Sequence, residues 1–75
     1  STVEIEYCVP CGFLDRAERI QHALLEQFGD RLDRVAPVTG DRGVLTVAVD
    51  GHVVWAKAHD QYDVAPLTRR VRESV

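Results

Sequence analysis

The sequence predicts an α/β domain in which two helices cover one four-stranded mixed sheet. Two observations support this fold class: apolar residues alternate with other residues in short segments, and they recur at helical spacing in two longer segments. The predicted order of elements is β-α-β-β-β-α, with a right-handed parallel crossover in the first β-α-β unit and an antiparallel hairpin near the end. The length of 75 residues and the apolar fraction of 45% indicate a single domain over residues 1–75 with a small core.

The first strand and the first helix flank a predicted turn. Apolar residues alternate with glutamates over residues 3–7, and this strand ends at Cys8. Pro10 removes a backbone donor and restricts the residue before it, so the chain must turn there. Gly29 is the expected C′ residue that ends the helix. The apolar stripe of the helix consists of Phe13, Ala17, Ile20, Leu24 and Phe28, and is widened by Leu14 and Leu25.

Three strands and a second helix are predicted in the rest of the chain. Pro37 indicates that the second strand lies at a sheet edge. The third strand is apolar on both faces, which favours a strand covered on both sides. Asp50-Gly51 predicts a two-residue hairpin between the last two strands. The predicted elements are strands over Asp33–Thr39, Val44–Val49 and His52–Lys57, and a helix that Asp63 caps and that carries Leu67, Val71 and Val75 on one face.

Composition argues against nucleic acid and membranes as partners. The formal net charge is -3 and no block of Lys and Arg occurs, whereas nucleic-acid binding depends on clustered basic groups that neutralise phosphates. No run of about 18 apolar residues is present to span a bilayer. No basic segment followed by an apolar stretch opens the chain, so we expect a cytoplasmic location.

Cys8 and Cys11, the two cysteines of the chain, form a Cys-x-x-Cys motif between the first strand and the first helix. Such closely spaced cysteines constrain the unfolded chain very little, so stability does not explain the pair. The N–H groups at a helix N-terminus favour the thiolate, which is the form that attacks disulfides. One cysteine can then attack a target while the other resolves the mixed disulfide. We therefore predict Cys8 and Cys11 as the catalytic pair, with neither a cofactor nor a metal.

Asp15 is expected to moderate the reactivity of this pair. It lies one turn into the predicted helix, where its carboxylate disfavours a second negative charge nearby. We therefore expect modest activation of the reactive thiol.

Two other roles for the cysteines are open. A zinc site requires four ligands, and His22, His52 and His59 are the remaining candidates, without the short spacing typical of paired histidine ligands. The pair could also be inert core thiols. Pro10 and Gly12 argue against this, because they make the motif a turn and turns lie at the surface.

Three stretches of the chain match one known family. They are Val3–Gly12, which contains Tyr-Cys-x-x-Cys-Gly after a strand, Phe28–Asp33 at the end of the helix, and Val47–Lys57 around the glycine turn. These stretches resemble the selenoprotein W family, part of the group that includes selenoproteins T and H. The resemblance implies a thioredoxin-like fold with strand order 2-1-3-4 and an antiparallel third strand. It also implies a role in cell redox homeostasis, with glutathione or a thioredoxin-type protein as reductant.

The chain departs from the family pattern at several positions. Cys11 occupies the place of selenocysteine, so the attacking residue is Cys11 by the selenium position but Cys8 by comparison with thioredoxins, and we favour Cys8. Gly29 stands where the family often has proline, and Trp55-Ala56-Lys57 stands where Ser-Lys is common. No proline fills the place that the thioredoxin group gives to a cis-proline, because Pro37 falls too early.

The sequence leaves two candidate functions. The first is a thiol–disulfide oxidoreductase or redox carrier that acts on protein thiols and disulfides through Cys8 and Cys11. The alternative is a non-catalytic, redox-sensing binding module in which the disulfide state gates a partner surface. Turnover of disulfide substrates distinguishes the two.

Overall fold

A computed structural model describes residues 1–75 and contains the predicted order of elements. The four strands form one sheet in the order β2-β1-β3-β4. β1 is parallel to β2 and antiparallel to β3, and β4 is antiparallel to β3, which confirms the mixed sheet and the antiparallel third strand. The elements are β1 (Thr2–Cys8), α1 (Leu14–Phe28), β2 (Arg34–Gly40), β3 (Leu45–Val49), β4 (His52–Ala56) and α2 (Val64–Ser74).

Both helices pack on the same face of the sheet, where they form a single core of 14 buried residues. α1 contributes Ala17, Ile20, Leu24 and Phe28 to this core, as the helical spacing predicts. The opposite face of the sheet is open. The prediction that β3 is covered on both sides is therefore wrong: the residues of β3 on the open face are half-buried rather than buried.

The apolar stripe of α1 is narrower than predicted. Leu14 and Leu25 are 47% and 46% exposed, because only the other side of the helix meets the sheet. Gly29 follows the last residue of α1 but has φ -52° and ψ -35°, so it is not the left-handed C′ residue expected from the sequence. The helix instead ends in a tight turn, in which the amides of Arg31 and Leu32 both donate to the Phe28 carbonyl at 2.8 and 3.1 Å.

The predictions for the hairpin, the edge strand and the N-cap of α2 hold. Asp50 and Gly51 have φ of 50° and 87°, so the β3–β4 connection is the predicted two-residue hairpin. Pro37 lies in β2, which is an edge strand. The Asp63 carboxylate accepts a hydrogen bond from the Ala65 amide at 3.1 Å and so caps α2. Neither helix is long and apolar enough to cross a membrane.

Candidate functional site

The structure joins Cys8 and Cys11 in a disulfide, with 5.3 Å between their Cα atoms. Cys8 is the last residue of β1, an interior strand of the sheet. Cys11 lies in the turn over residues 9–13 that leads into α1. The two predicted site residues thus meet at the junction of strand and helix.

Cys8 is held rigidly from both sides. Its amide donates to the Val44 carbonyl at 2.7 Å, and the next amide, of Val9, donates to the Gly40 carbonyl at 3.1 Å. Gly40 is also the partner of Cys8 in the parallel pairing of β1 with β2. Cys8 has an exposed fraction of 0%, so solvent does not reach this residue.

Cys11 has the opposite environment. It is exposed, on a turn closed by two backbone hydrogen bonds: the Gly12 amide donates to the Val9 carbonyl at 3.1 Å, and the Phe13 amide donates to the Cys8 carbonyl at 3.3 Å. Gly12 has φ +75°, a left-handed conformation that L side chains adopt only with strain. The site therefore presents one accessible and one inaccessible cysteine.

The helix begins after the motif rather than within it. Phe13, expected to open the helical stripe, occupies the N-cap position of α1 and makes no side-chain capping hydrogen bond. Cys11 precedes this residue, so neither cysteine belongs to the first turn of the helix. Any stabilisation of a Cys11 thiolate by the helix comes from the N-terminal end facing the turn, and it decreases with distance from that end.

Charged side chains near the turn have both signs. The Arg16 guanidinium lies 4.9 Å and the Lys57 amine 5.5 Å from the centre of the Phe13 ring. Asp15 is exposed in the first turn of α1, as predicted. Sequence reasoning did not place either cation at the turn, because Lys57 reaches Phe13 only through the packing of β4 beside β3.

The loop that follows Lys57 is tied to α2. The carboxylate of Asp60 forms a 2.9 Å ion pair with Arg70 and accepts a 3.2 Å hydrogen bond from the Ala56 amide. The hydrogen bond from Arg70, followed by that from Ala56, lowers the pKa of Asp60. This loop also carries Tyr62, whose ring centre lies 5.4 Å from the Arg16 guanidinium.

The structure does not bring together the ligands that the zinc alternative requires. No group of three His, Cys, Asp or Glu side chains is close enough to hold a metal ion. His22 instead lies 3.0 Å from Glu26 on the exposed face of α1. His52 begins β4 and His59 lies in the loop before α2.

Glu6 is a further group at the site that sequence reasoning missed. It lies on the open face of the sheet, two residues before Cys8 in β1. The signal was available in the alternation of the strand, since residues 4, 6 and 8 share one face. The sequence alone does not show, however, that Cys8 is buried while Glu6 remains exposed.

Comparison with known proteins agrees with this fold. The sequence profile of the Rdx family matches residues 2–73. The crystal structure of a protein from Bordetella parapertussis superposes with a TM-score of 0.92 at 32% identity and covers 99% of this chain and 96% of that chain. A selenoprotein W-related protein from Vibrio cholerae superposes with a TM-score of 0.87 at 24% identity over 96% of this chain and 92% of that chain, a likeness of fold. None of the curated proteins matches.

The resemblance to the selenoprotein W family that the three sequence stretches indicated is thereby confirmed, together with the thioredoxin-like fold that it implied. The disulfide at the Cys-x-x-Cys motif and the family match both fit a redox role. Because the Rdx profile matches residues 2–73, the chain belongs to the Rdx family.

Proposed function

We propose that the chain is a thiol–disulfide oxidoreductase or redox carrier that cycles Cys8 and Cys11 between the dithiol and the disulfide. The observation that carries the proposal is the unequal exposure of a bonded pair: Cys11 is exposed on a turn, and Cys8 is buried at the end of β1. This inequality suits dithiol exchange, because one sulfur can meet the target while the other is kept for the resolving step.

In this proposal Cys11 attacks and Cys8 resolves. The Cys11 thiolate attacks one sulfur of a target disulfide, forms a mixed disulfide and releases the other target sulfur as a thiolate. Cys8 then attacks the Cys11 sulfur and releases the second target thiolate. The target gains two electrons and the chain ends as the Cys8–Cys11 disulfide. The sequence-based preference for Cys8 as attacker loses its support, because attack requires access to the target and Cys8 is buried.

Protein thiols and disulfides are the proposed targets. Val9 and Leu14, on either side of Cys11 in the chain, are exposed apolar residues that a protein surface can cover. A glutathione- or thioredoxin-type reductant would return the disulfide to the dithiol. We expect this cycle to run in the cytoplasm, where such reductants keep thiols reduced.

A redox titration combined with two serine variants tests the proposal. We expect the pair to open and close as a two-electron couple between about -180 and -280 mV, the range of exchange catalysts and carriers. The test equilibrates the protein in glutathione buffers, traps free thiols and counts them by mass. Cys8→Ser should accumulate a mixed disulfide with a peptide disulfide, whereas Cys11→Ser should react slowly. A pair that does not close at any accessible potential contradicts the proposal.

The exposed Val9 and Leu14 also fit the alternative function, a redox-sensing module that binds a partner in one disulfide state. This alternative gains support if the pair closes reversibly but peptide disulfides are not turned over. A partner that then binds only one redox form of the wild type, and binds Cys8→Ser equally in oxidising and reducing buffers, identifies the module.

A further inference from the structure

The buried position of Cys8 creates a requirement for a proton acceptor, provided that the proposed dithiol cycle operates. Cys8 must lose its thiol proton as it attacks the mixed disulfide on Cys11. Apolar burial disfavours a thiolate, and Cys8 has no exposed surface from which bulk water could take the proton. The acceptor must therefore be a protein group next to Cys8.

Glu6 is the carboxylate that the fold brings to this position. Side chains alternate along a strand, so Glu6 and Cys8 point to the same face of β1. Cys8 pairs with Gly40 of β2. A β-carbon on Gly40 would lie 2.7 Å from the Glu6 Oε2 atom and 3.0 Å from its Cγ, so the Glu6 side chain occupies the space beside Cys8 that a larger residue at position 40 would take.

The other side of this space is apolar. The Val44 Cγ1 atom lies 2.8 Å from the same hypothetical β-carbon, and the Val44 carbonyl accepts the hydrogen bond of the Cys8 amide. Glycine at position 40 therefore leaves room for one carboxylate and one methyl group next to the buried cysteine. The Glu6 carboxylate is exposed, so a proton taken from the buried cysteine can pass on to water.

Other charged groups lie on the elements that neighbour the cysteines. Asp41 follows β2, α1 contributes Asp15 and Arg16, and Lys57 follows β4. The part of β3 that pairs with β1 has no titratable side chain. Arg16 and Lys57 lie against Phe13, which packs on the core, and so belong to the helix side of the sheet. Of the two glutamates that share the face of β1 with Cys8, Glu6 is the one next to Cys8 on that face.

We propose that Glu6 is the proton acceptor of the resolving step. As the Cys8 sulfur bonds to the Cys11 sulfur, the Cys8 thiol proton passes to the Glu6 carboxylate. The bond between Cys11 and the target sulfur breaks, and its electron pair leaves with the target as a thiolate. The target is reduced and the dithiol is oxidised. The reverse sequence, with a protonated Glu6 returning the proton, applies when an external thiol reduces the disulfide.

The two steps can be timed separately with one equivalent of dithiobis(nitrobenzoate), whose released aromatic thiolate absorbs visible light. The first release reports attack by Cys11, and the second reports attack by Cys8 on the mixed disulfide. The aromatic thiolate leaves without taking a proton, so the Cys8 thiol must lose its proton to another group. The rate of the second release therefore reports the deprotonation of Cys8. We expect Glu6→Gln to leave the first release unchanged and to slow the second about 100-fold at pH 7, at the low end of general-base effects.

The pH profile separates proton transfer from a packing effect. In the wild type the rate of the second release should be nearly level from about pH 6 to 9, because the carboxylate supplies the base. In Glu6→Gln it should rise about tenfold per pH unit from pH 6 to 9, as hydroxide must replace the carboxylate. Glu6→Asp, which keeps the carboxylate, should retain the levelled profile even if its rate falls. Circular dichroism checks the fold of each variant, and Glu6→Asp tests the proposal should Glu6→Gln not fold.

Glu4→Gln and Asp41→Asn are the matched controls. Glu4 lies on the same strand and face but farther from Cys8, and Asp41 is the exposed acid next to Gly40. Both controls should release the second thiolate at the wild-type rate. The proposal is overturned if Glu6→Gln keeps the wild-type rate and profile, or if either control slows the second release equally. Failure of the proposed function looks different, because the wild type itself would then show no second release or no turnover of peptide disulfides.

Discussion

Leu24 and Leu25 are adjacent residues of α1 that the structure places in opposite environments. Leu24 is 0% exposed in the core, and Leu25 is 46% exposed on the outer face of the helix. Leu→Ala removes the same atoms at both positions. The two substitutions therefore test which face of α1 is packed, because the helix and the atoms removed are the same in both.

We expect Leu24→Ala to lower the free energy of unfolding by about 3 kcal/mol. The lost apolar transfer contributes about 2.4 kcal/mol at about 0.8 kcal/mol for each of three carbon groups. The cavity left in a closely packed core adds to this, within the range of about 2–5 kcal/mol for such changes. A domain of this size has a stability of about 3–5 kcal/mol, so Leu24→Ala should be partly unfolded at room temperature.

Leu25→Ala is the matched control and should cost less than about 1 kcal/mol. Its side chain is already half in water, and alanine has the higher helix propensity. Urea titrations followed by circular dichroism, with the disulfide kept oxidised in every sample, give the free energy of unfolding for each variant. If Leu25→Ala is as destabilising as Leu24→Ala, α1 does not pack by the face described, and the reasoning fails.

Three further predictions concern the hairpin, acid stability and the reactive thiol. Gly51→Ala should lower the free energy of unfolding by about 1–2 kcal/mol in a urea titration, because φ of 87° is strained for a residue with a β-carbon; no loss would contradict this. The Arg70 hydrogen bond holds the pKa of Asp60 below its ordinary value of 3.8. Ionised Asp60 therefore stabilises the fold above pH 3.8, and this stabilisation is lost as pH falls through the lower pKa of the folded state. Asp60→Asn should thus lower the urea midpoint at pH 7 but match the wild type near about pH 2, and equal midpoints at pH 7 would refute the contribution. Asp15→Asn should lower the pKa of the reactive thiol, measured from the pH dependence of alkylation in the Cys8→Ser background, and an unchanged or raised pKa would count against the proposed repulsion.

Much of the fold could be predicted from local sequence signals. The order of strands and helices follows from the spacing of apolar residues, which each segment carries by itself. The hairpin at Asp50-Gly51, the cap at Asp63 and the edge position of Pro37 follow from backbone chemistry within a few residues. The sheet order is less local, and it came from the resemblance to a family rather than from periodicity.

The misjudged apolar positions share one cause. Leu14, Leu25 and the open face of β3 were all expected to be covered, because a hydrophobic residue next to an apolar stripe fits either environment. Which of these residues meet another element depends on where both helices pack. The structure puts α1 and α2 on one face of the sheet, and this arrangement leaves such residues in contact with water.

For the site, the sequence by itself determined the setting of the two cysteines: Cys8 ends a strand, and Cys11 lies on a turn with Pro10 and Gly12. These features depend on residues that are close along the chain. Only the tertiary structure decided that Cys8 is buried, because β2 and the segment before β3 close around it. It also brought the side chains of Glu6 and Val44 together beside Gly40, since contacts across a sheet depend on the pairing of distant segments.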